Sequence, residues 1–439
     1  MAHETMEPAG HWAAFVFLDW GNKKHAWALA AADAQRIEQG ELDNTPQAIE
    51  AWAAGLAQRF PDQTVAVGLE SNRNVQFHLL KYGHLVLFPT HPATLARYRK
   101  AFRPSGAKDD PSDAVLGLEL LRLHREQLPV WQPDTVETRR LQFLVEDRRR
   151  LVDDKTQTSN RLTARLKLYF PQILEWFTDV DTPLLEDFLR RWPTLEKVQQ
   201  AAPRTLRQFF HQHHSRSNEL LEKRLRQIRE AVPATLDPAV RDSSVTFVLA
   251  LLGVIAALRQ AIAENERQIA VAYDQHPDAP LFRALPAAGP ALGPRLLVAM
   301  GTQRERFTSA GQVHCCSGIA PVLQRSGQTQ IVHMRHACNK FLRQTFHEWA
   351  ACTIRVCDWA RAFYDHQRAL HKGHHAAVRA LAYKWIRIVF RCWKDRVPYD
   401  EARYLKALQR RQAPKANPAA FRWEETAGFH KFAGFGVSS

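Results

Sequence analysis

The stretch Lys108-Asp109-Asp110-Pro111-Ser112-Asp113-Ala114 sets two carboxylates three residues apart at the start of an apolar-periodic run, Val115 to Leu123. On a helix, Asp110 and Asp113 point the same way. Like charges so placed repel, and on an enclosed face they call for a cation, most naturally a hard metal ion held by oxygens. Taken alone, acids in a first helical turn are usually just solvated and favoured by the helix dipole. Two acids upstream change the balance. Asp19 closes the apolar run Ala13-Ala14-Phe15-Val16-Phe17-Leu18, and Glu70 closes Thr64-Val65-Ala66-Val67-Gly68-Leu69. Both runs read as buried strands that end in an acid.

The elements that must position these acids follow from the same patterns. Strands are predicted at 13–19, 25–31 and roughly 36–42, then a helix from Pro46 to Arg59, the strand ending at Glu70, a helix near Val75 to Tyr82, a strand Leu85 to Pro89 and a helix from Pro111 to Arg125. Three strands followed by alternating helix and strand is the order of a ribonuclease-H-like α/β sheet. Such a sheet brings Asp19, Glu70, Asp110 and Asp113 to one edge. Beyond Pro129 and Pro133 the chain turns to charged helix, to about Tyr169, with further helices in 183–231. Val248, Ile255, Ile262 and Ile269 then recur every seven residues, with Leu251 and Leu258 three after the first two and the polar Asn265 in the next such position. This predicts a coiled coil or a long helical hairpin, or else a single helix in a monomeric bundle. Pro277 and Pro280 break that helix. Leu285 to Gly293 reads as a helix and a tight turn, followed by a helix from Arg295 to Met300, a helix-hairpin-helix-like element that either offers backbone amides to a phosphate or simply turns the chain.

With 439 residues the chain has room for two or three domains, here 1–128, 129–277 and 278–411 with a tail 412–439. The formal charge is +15, and residues 1–277 carry 35 Lys+Arg against 35 Asp+Glu while residues 278–439 carry 25 against 10. The whole excess therefore lies in the last third, a balance that points to nucleic acid. The amino terminus lacks a basic region followed by an apolar one, and the longest apolar run, Val245 to Leu258, is too short to span a bilayer, so a soluble cytoplasmic protein is expected. All six cysteines lie beyond residue 314 without a C-x-x-C pair, which indicates neither a disulfide framework nor a ribbon-type zinc site.

Two Ser-Gly pairs, Ser317-Gly318 and Ser326-Gly327, read as loops. Loop serines are usually turn formers. Ser326 differs in its basic surround, Arg325, Arg335, Lys340 and Arg343, which gives it reason to meet a phosphate. From Lys340 to Trp393 the chain reads as basic helix with interleaved aromatics, most of them core. The tail carries Phe421, Trp423, Phe429, Phe432 and Phe435, which could stack on unpaired bases.

Asp19 in Leu18-Asp19-Trp20-Gly21-Asn22, Glu70 in Gly68-Leu69-Glu70-Ser71 and the Lys108 to Ala114 stretch together resemble the DEDD transposases of bacterial insertion sequences, the group of bridge-RNA-guided recombinases. In the second half Leu285-Pro286 to Gly289, Arg306-Phe307-Thr308-Ser309-Ala310, Gly318-Ile319-Ala320-Pro321, Ser326-Gly327 and Leu342-Arg343 fall in the family's order. Three positions depart from it: Ala287 and Cys338 stand where the family usually has glycine, and a single serine precedes Gly327. The resemblance implies a RuvC-like domain, a helical coiled-coil connector that serves oligomerisation, and a mainly α carboxyl-terminal domain. It implies that Asp19, Glu70, Asp110 and Asp113 hold Mg²⁺ or Mn²⁺ and that Ser326 attacks DNA phosphorus, with Ser317 a second choice. Its implied partners are donor and target double-stranded DNA, a structured non-coding RNA, and further copies of the chain as a dimer or tetramer. Two other readings remain open: a junction nuclease that uses metal and water, and a non-catalytic nucleic-acid-binding protein.

Overall fold

Strand β1 (Trp12–Asp19) is apolar on both faces and buried along its length, so the amino-terminal unit is built around it. The computed structural model describes residues 12–70, 73–102, 110–213, 217–327 and 329–412, and divides into two compact units that meet in sequence at Pro133 and Asp134. In the first unit β1 is the centre of a five-stranded sheet, order β3-β2-β1-β4-β5. β2 (Lys24–Ala31) and β3 (Glu38–Asp43) continue it antiparallel on one side; β4 (Thr64–Glu70) and β5 (Leu85–Thr90) continue it parallel on the other. Alternation along β1 sends Ala14, Val16 and Leu18 into a core with Ile49, Ala53 and Leu56 of α1 (Pro46–Arg59) and Val75 and Leu79 of α2 (Arg73–Leu79). Phe15 and Phe17 point the other way, onto Leu95 of α3 (Pro92–Phe102) and Ala114, Leu118 and Leu121 of α4 (Asp110–His124). This mixed α/β unit is compatible with the ribonuclease-H-like domain that the sequence predicts.

Helix α4 packs on the sheet where two glycines leave room for one aromatic ring. A Cβ on Gly117 would stand 2.3 Å from the Phe17 ring, and a Cβ on Gly68 of β4 would stand 2.6 Å from the same ring. Phe17 thus fills a slot whose two walls are glycines, and any side chain at either would push α4 off the strand ends.

The second unit is almost entirely helical. α5 (Val136–Tyr169) and α11 (Pro238–Asp274) run antiparallel: Leu141 and Val145 share a core with Ile269 and Tyr273, whereas Leu162 and Leu166 share another with Val248, Leu252 and Ile255. An Arg148–Glu266 ion pair crosses between them. The heptad residues of α11 therefore find their partner helix in the same chain. Their connection is a small bundle of α6 (Ile173–Trp176), α7 (Pro183–Arg191), α8 (Leu195–Gln199), α9 (Pro203–Gln212) and α10 (Asn218–Glu230), closed over Phe177, Phe188 and Phe210. The apolar run 245–258, expected to be too short for a bilayer, continues helically at both ends. By length and composition α11 could cross a membrane, but Val248, Leu251, Leu252 and Ile255 are buried in the protein's own core.

The remaining elements are α12 (Ala279–Arg283), α13 (Leu292–Met300), α14 (Ala310–Cys316), a hairpin of β6 (Val322–Ser326) and β7 (Thr329–His333), then α15 (Lys340–Thr353), α16 (Asp358–Ala369), α17 (His374–Asp395) and α18 (Glu401–Gln412). Their core holds three fully buried tryptophans, each with its indole N–H satisfied: Trp349 by the Pro286 carbonyl at 2.8 Å, Trp385 by Thr353 Oγ1 at 2.9 Å and Trp393 by the Gly301 carbonyl at 2.6 Å. The turn between α12 and α13 puts Ala287 at φ 58°, the left-handed region. The start of α5 is tied in by Asp134, whose Oδ1 accepts from Thr302 N–H at 2.8 Å, Thr302 Oγ1 at 2.9 Å and Gln303 N–H at 3.2 Å. Nearby, Arg304 grips both oxygens of the buried Asp278 at 2.8 and 2.7 Å.

Candidate active site

Asp19 and Glu70 are the last residues of β1 and β4, which are neighbours in the sheet and run the same way. The register pairs Leu18 with Leu69, so the two carboxylates stand next to each other at the carboxyl ends of parallel strands. That edge is where open α/β sheets place their ligands. The turn after β1 is tight. A Cβ on Gly21 would lie 2.2 Å from the Lys24 carbonyl oxygen, and Gly21 N–H donates to His25 Nδ1 at 3.2 Å. The His25 ring stacks on Trp20 with 3.7 Å between centroids, and burial pushes its imidazole below the usual histidine range. Asp19 is thus held at the root of a rigid turn.

Asp110 is the first residue of α4, while its side chain lies outside the described residues. Asp113, one turn on, is 2 % exposed and ion-paired with Arg99 of α3, Nε to Oδ1 at 2.6 Å and Nη2 to Oδ2 at 2.5 Å. The pair answers the charge problem that the sequence poses, but with a guanidinium. Arg99 is a residue that the sequence reading does not single out. The donor chemistry at Asp19 and Glu70, all carboxylate oxygen, fits a hard divalent cation. Asp113 fits one only after exchanging its arginine, and no group of three or more His, Cys, Asp or Glu ligands is assembled among the described residues.

Ser326 is not in a loop. It ends β6 and pairs with Thr329, and Gly327 at φ 57° begins the turn; Gln328 lies outside the described residues. Ser326 is exposed and makes no side-chain hydrogen bond among the described residues. Ser317 is fully buried at the end of α14, and its Oγ donates to the His314 carbonyl at 3.2 Å, which removes it from contention as a nucleophile. Of the basic residues expected around Ser326, Arg325 is exposed and donates to Gln330 Oε1 at 3.3 Å, and Lys340 is exposed at the start of α15. Arg335 Nε donates to the Ala320 carbonyl at 3.3 Å. Arg343 is turned inward, its Nη2 donating to the carbonyls of Arg335 at 2.6 Å and His336 at 3.3 Å and touching Cys338 Sγ. It braces the segment that returns from the hairpin to α15.

Comparison with known proteins bears on both units. Residues 16–171 match the profile of the DEDD transposases of the IS110 type, and residues 279–365 match that of the IS116/IS110/IS902 transposase family; together they span more than half of the chain. The chain belongs to the IS110-type DEDD transposases. It is 25 % identical over 401 residues, 90 % of its length and 97 % of the relative's, to a mini-circle protein of Streptomyces coelicolor named as a transposase for IS117. It is 23 % identical to the 43.6 kDa protein of insertion element IS110 from the same organism, over 88 % of this chain and 95 % of that one. It is 22 % identical to the 42 kDa protein of insertion element IS900 from Mycobacterium paratuberculosis, over 88 % and 96 %. As an IS110-type transposase the protein acts on DNA, and the first profile begins on the strand that carries Asp19 and covers Glu70, Asp110 and Asp113.

Proposed function

We propose that the protein moves an insertion element by serine chemistry on DNA. The observation that carries this reading is the placing of two carboxylates at neighbouring strand ends in the first unit; the second unit offers, separately, an exposed serine at the end of β6 beside Arg325. Asp19, Glu70, Asp110 and Asp113, the last released from Arg99, are assigned to hold Mg²⁺ or Mn²⁺, which supplies charge neutralisation at a phosphate. Ser326 Oγ attacks phosphorus; the new Oγ–P bond replaces one P–O bond of the strand, and the serine's proton ends on the leaving oxygen, giving a phosphoserine and a strand hydroxyl. The hydroxyl of the exchanging strand then attacks the same phosphorus and frees Ser326. Every phosphodiester broken is re-formed as an ester, so no ATP is consumed. Arg325 and Lys340 hold the DNA backbone electrostatically, Arg335 and Arg343 hold the hairpin itself.

The chain works with donor and target double-stranded DNA and, in this reading, as a dimer or tetramer, because exchange needs several strand breaks held together. A structured RNA supplies sequence choice by base pairing. The domains used are those expected at 1–128, 129–277 and 278–411. The test is covalent trapping with Mg²⁺, labelled element-end DNA and its flanking RNA. A protein–DNA adduct on a denaturing gel that vanishes in Ser326→Ala supports the reading. Cleavage without an adduct, untouched by Ser326→Ala, replaces it with a water-using nuclease. Recombination without any RNA removes the guide.

A further inference from the structure

Between α17 and α18 lies a cavity of about 480 Å³ that the catalytic reading does not use. Its floor is apolar, formed by Ile388, Val397, Tyr404 and Leu408. Its rim is cationic, with Lys384, Arg387, Arg391 and Arg403 against Asp395 and Asp400. Asp395 is ion-paired with Arg391, while Asp400 Oδ1 accepts the backbone N–H of Arg403 at 3.0 Å and keeps its charge, so the lining carries four cations against two anions. The Lys384 ammonium sits over the Phe363 ring, 4.3 Å from its centroid. That leaves the guanidinium groups of Arg387 and Arg403, both exposed and without a hydrogen bond or ion pair among the described residues.

We infer that this cavity takes one unpaired nucleotide of a nucleic-acid strand, its base on the Tyr404–Ile388–Leu408 floor and its phosphates on Arg387 and Arg403. Three features favour that occupant. The volume has room for one base with its sugar, and a base held in a duplex, being stacked inside, is not available to enter it. The apolar lining includes the Tyr404 ring, itself set against Trp359 at 4.8 Å between centroids, and an aromatic member of this kind gives any base a surface to pack against. Two guanidinium groups engaged in no ion pair among the described residues match a diester backbone, and the exposed Lys406 and Arg410 of α18 add to the positive charge. The inference rests on the reading of the chain as a nucleic-acid enzyme, and it adds a site for single strands to one that acts on duplexes.

The experiment is fluorescence anisotropy on the full chain with labelled dT and U homopolymers and a labelled DNA duplex, across a salt series. Ala407→Trp places an indole in the cavity from α18 and obstructs it without changing charge. It is expected to weaken single-strand binding about tenfold, the weight of one stacked base, and to leave duplex binding as it was. Arg387→Gln and Arg403→Gln are each expected to lower the single-strand salt slope by a little under one. Preference between dT and U tells whether the strand comes from DNA or RNA. Should Ala407→Trp fail to fold, 4-thiouridine crosslinking of the wild type gives the same answer: a crosslinked peptide containing Tyr404 supports the site. Single-strand binding unchanged in Ala407→Trp, a loss shared equally by the duplex, or crosslinks confined to other helices would overturn it while leaving the transposase reading intact. A wild type that binds neither single strand nor duplex would count against both.

Discussion

Arg99 occupies both oxygens of Asp113, and the pair is sealed: Asp113 is 2 % exposed. A carboxylate so held is neutralised by a cation that the chain itself supplies. Breaking the pair leaves a buried charge with no partner. Arg99→Met is expected to cost about 3 kcal/mol of stability, and Arg99→Met with Asp113→Leu to recover most of it. Urea denaturation of the three proteins checks both numbers. A titration with Mg²⁺ adds the functional half. If Asp113 exchanges its arginine for metal, Mg²⁺ raises the Tm of Arg99→Met by more than that of the wild type; equal shifts would remove Asp113 from the metal site.

Gly117 is expected to reject even a methyl group. Gly117→Ala drives its Cβ into the Phe17 ring and should lower stability by about 1–3 kcal/mol through overpacking. Phe17→Leu in the same chain makes room and should return part of the loss. Thermal unfolding of the single and double variants decides; no loss in Gly117→Ala would mean that α4 can move away freely.

Ala287 carries a backbone that favours glycine. Ala287→Gly is expected to stabilise the carboxyl-terminal unit by about 0.5–1 kcal/mol, the relief at φ 58° exceeding the extra entropy of the unfolded chain. The midpoint of chemical denaturation should rise with an unchanged slope. A lower midpoint would show that the methyl group's packing is worth more than the strain.

Stability should fall as pH drops from neutral. His314 is 2 % exposed, stacked on Tyr383 with 3.7 Å between centroids, and burial pushes its imidazole down to about 4. Its folded value lies below its unfolded one, near 6.5. Between those values the unfolded chain binds a proton that the folded chain refuses, so stability is full above about pH 6.5 and is lost progressively toward pH 4, by roughly 2–3 kcal/mol. His276 and His347 are shifted in the same direction by burial and add to the slope. Melting curves at pH 7.5 and pH 5 should differ more for the wild type than for His314→Phe.

Much of the amino-terminal unit is legible in the sequence because its central strands are continuous apolar runs, each ended by an acid. That β1 ends at Asp19 and β4 at Glu70 is legible from that punctuation alone. The helix over Pro92–Phe102 is missed because only Leu95 is buried on it, so it has no apolar period to read, and Arg99 goes unnoticed with it. The hairpin of Ser326 reads as a loop for a related reason: its strands pair only with each other and are almost wholly exposed, so neither alternates between core and solvent. The heptads of α11 announce a partner helix but not its owner. Only the structure shows that α5, which ends 69 positions before α11 begins, fills that role.

That antiparallel pair also acts as a spacer. Val145 and Leu162 sit in different cores of the same unit, and at about 1.5 Å per residue the rod between them is roughly 25 Å long. Helix length is thereby converted into a fixed distance and a fixed phase between whatever the two ends hold. Seven residues added to both helices would lengthen the rod by roughly 10 Å and nearly keep its phase, whereas four would turn one end by about 40° against the other.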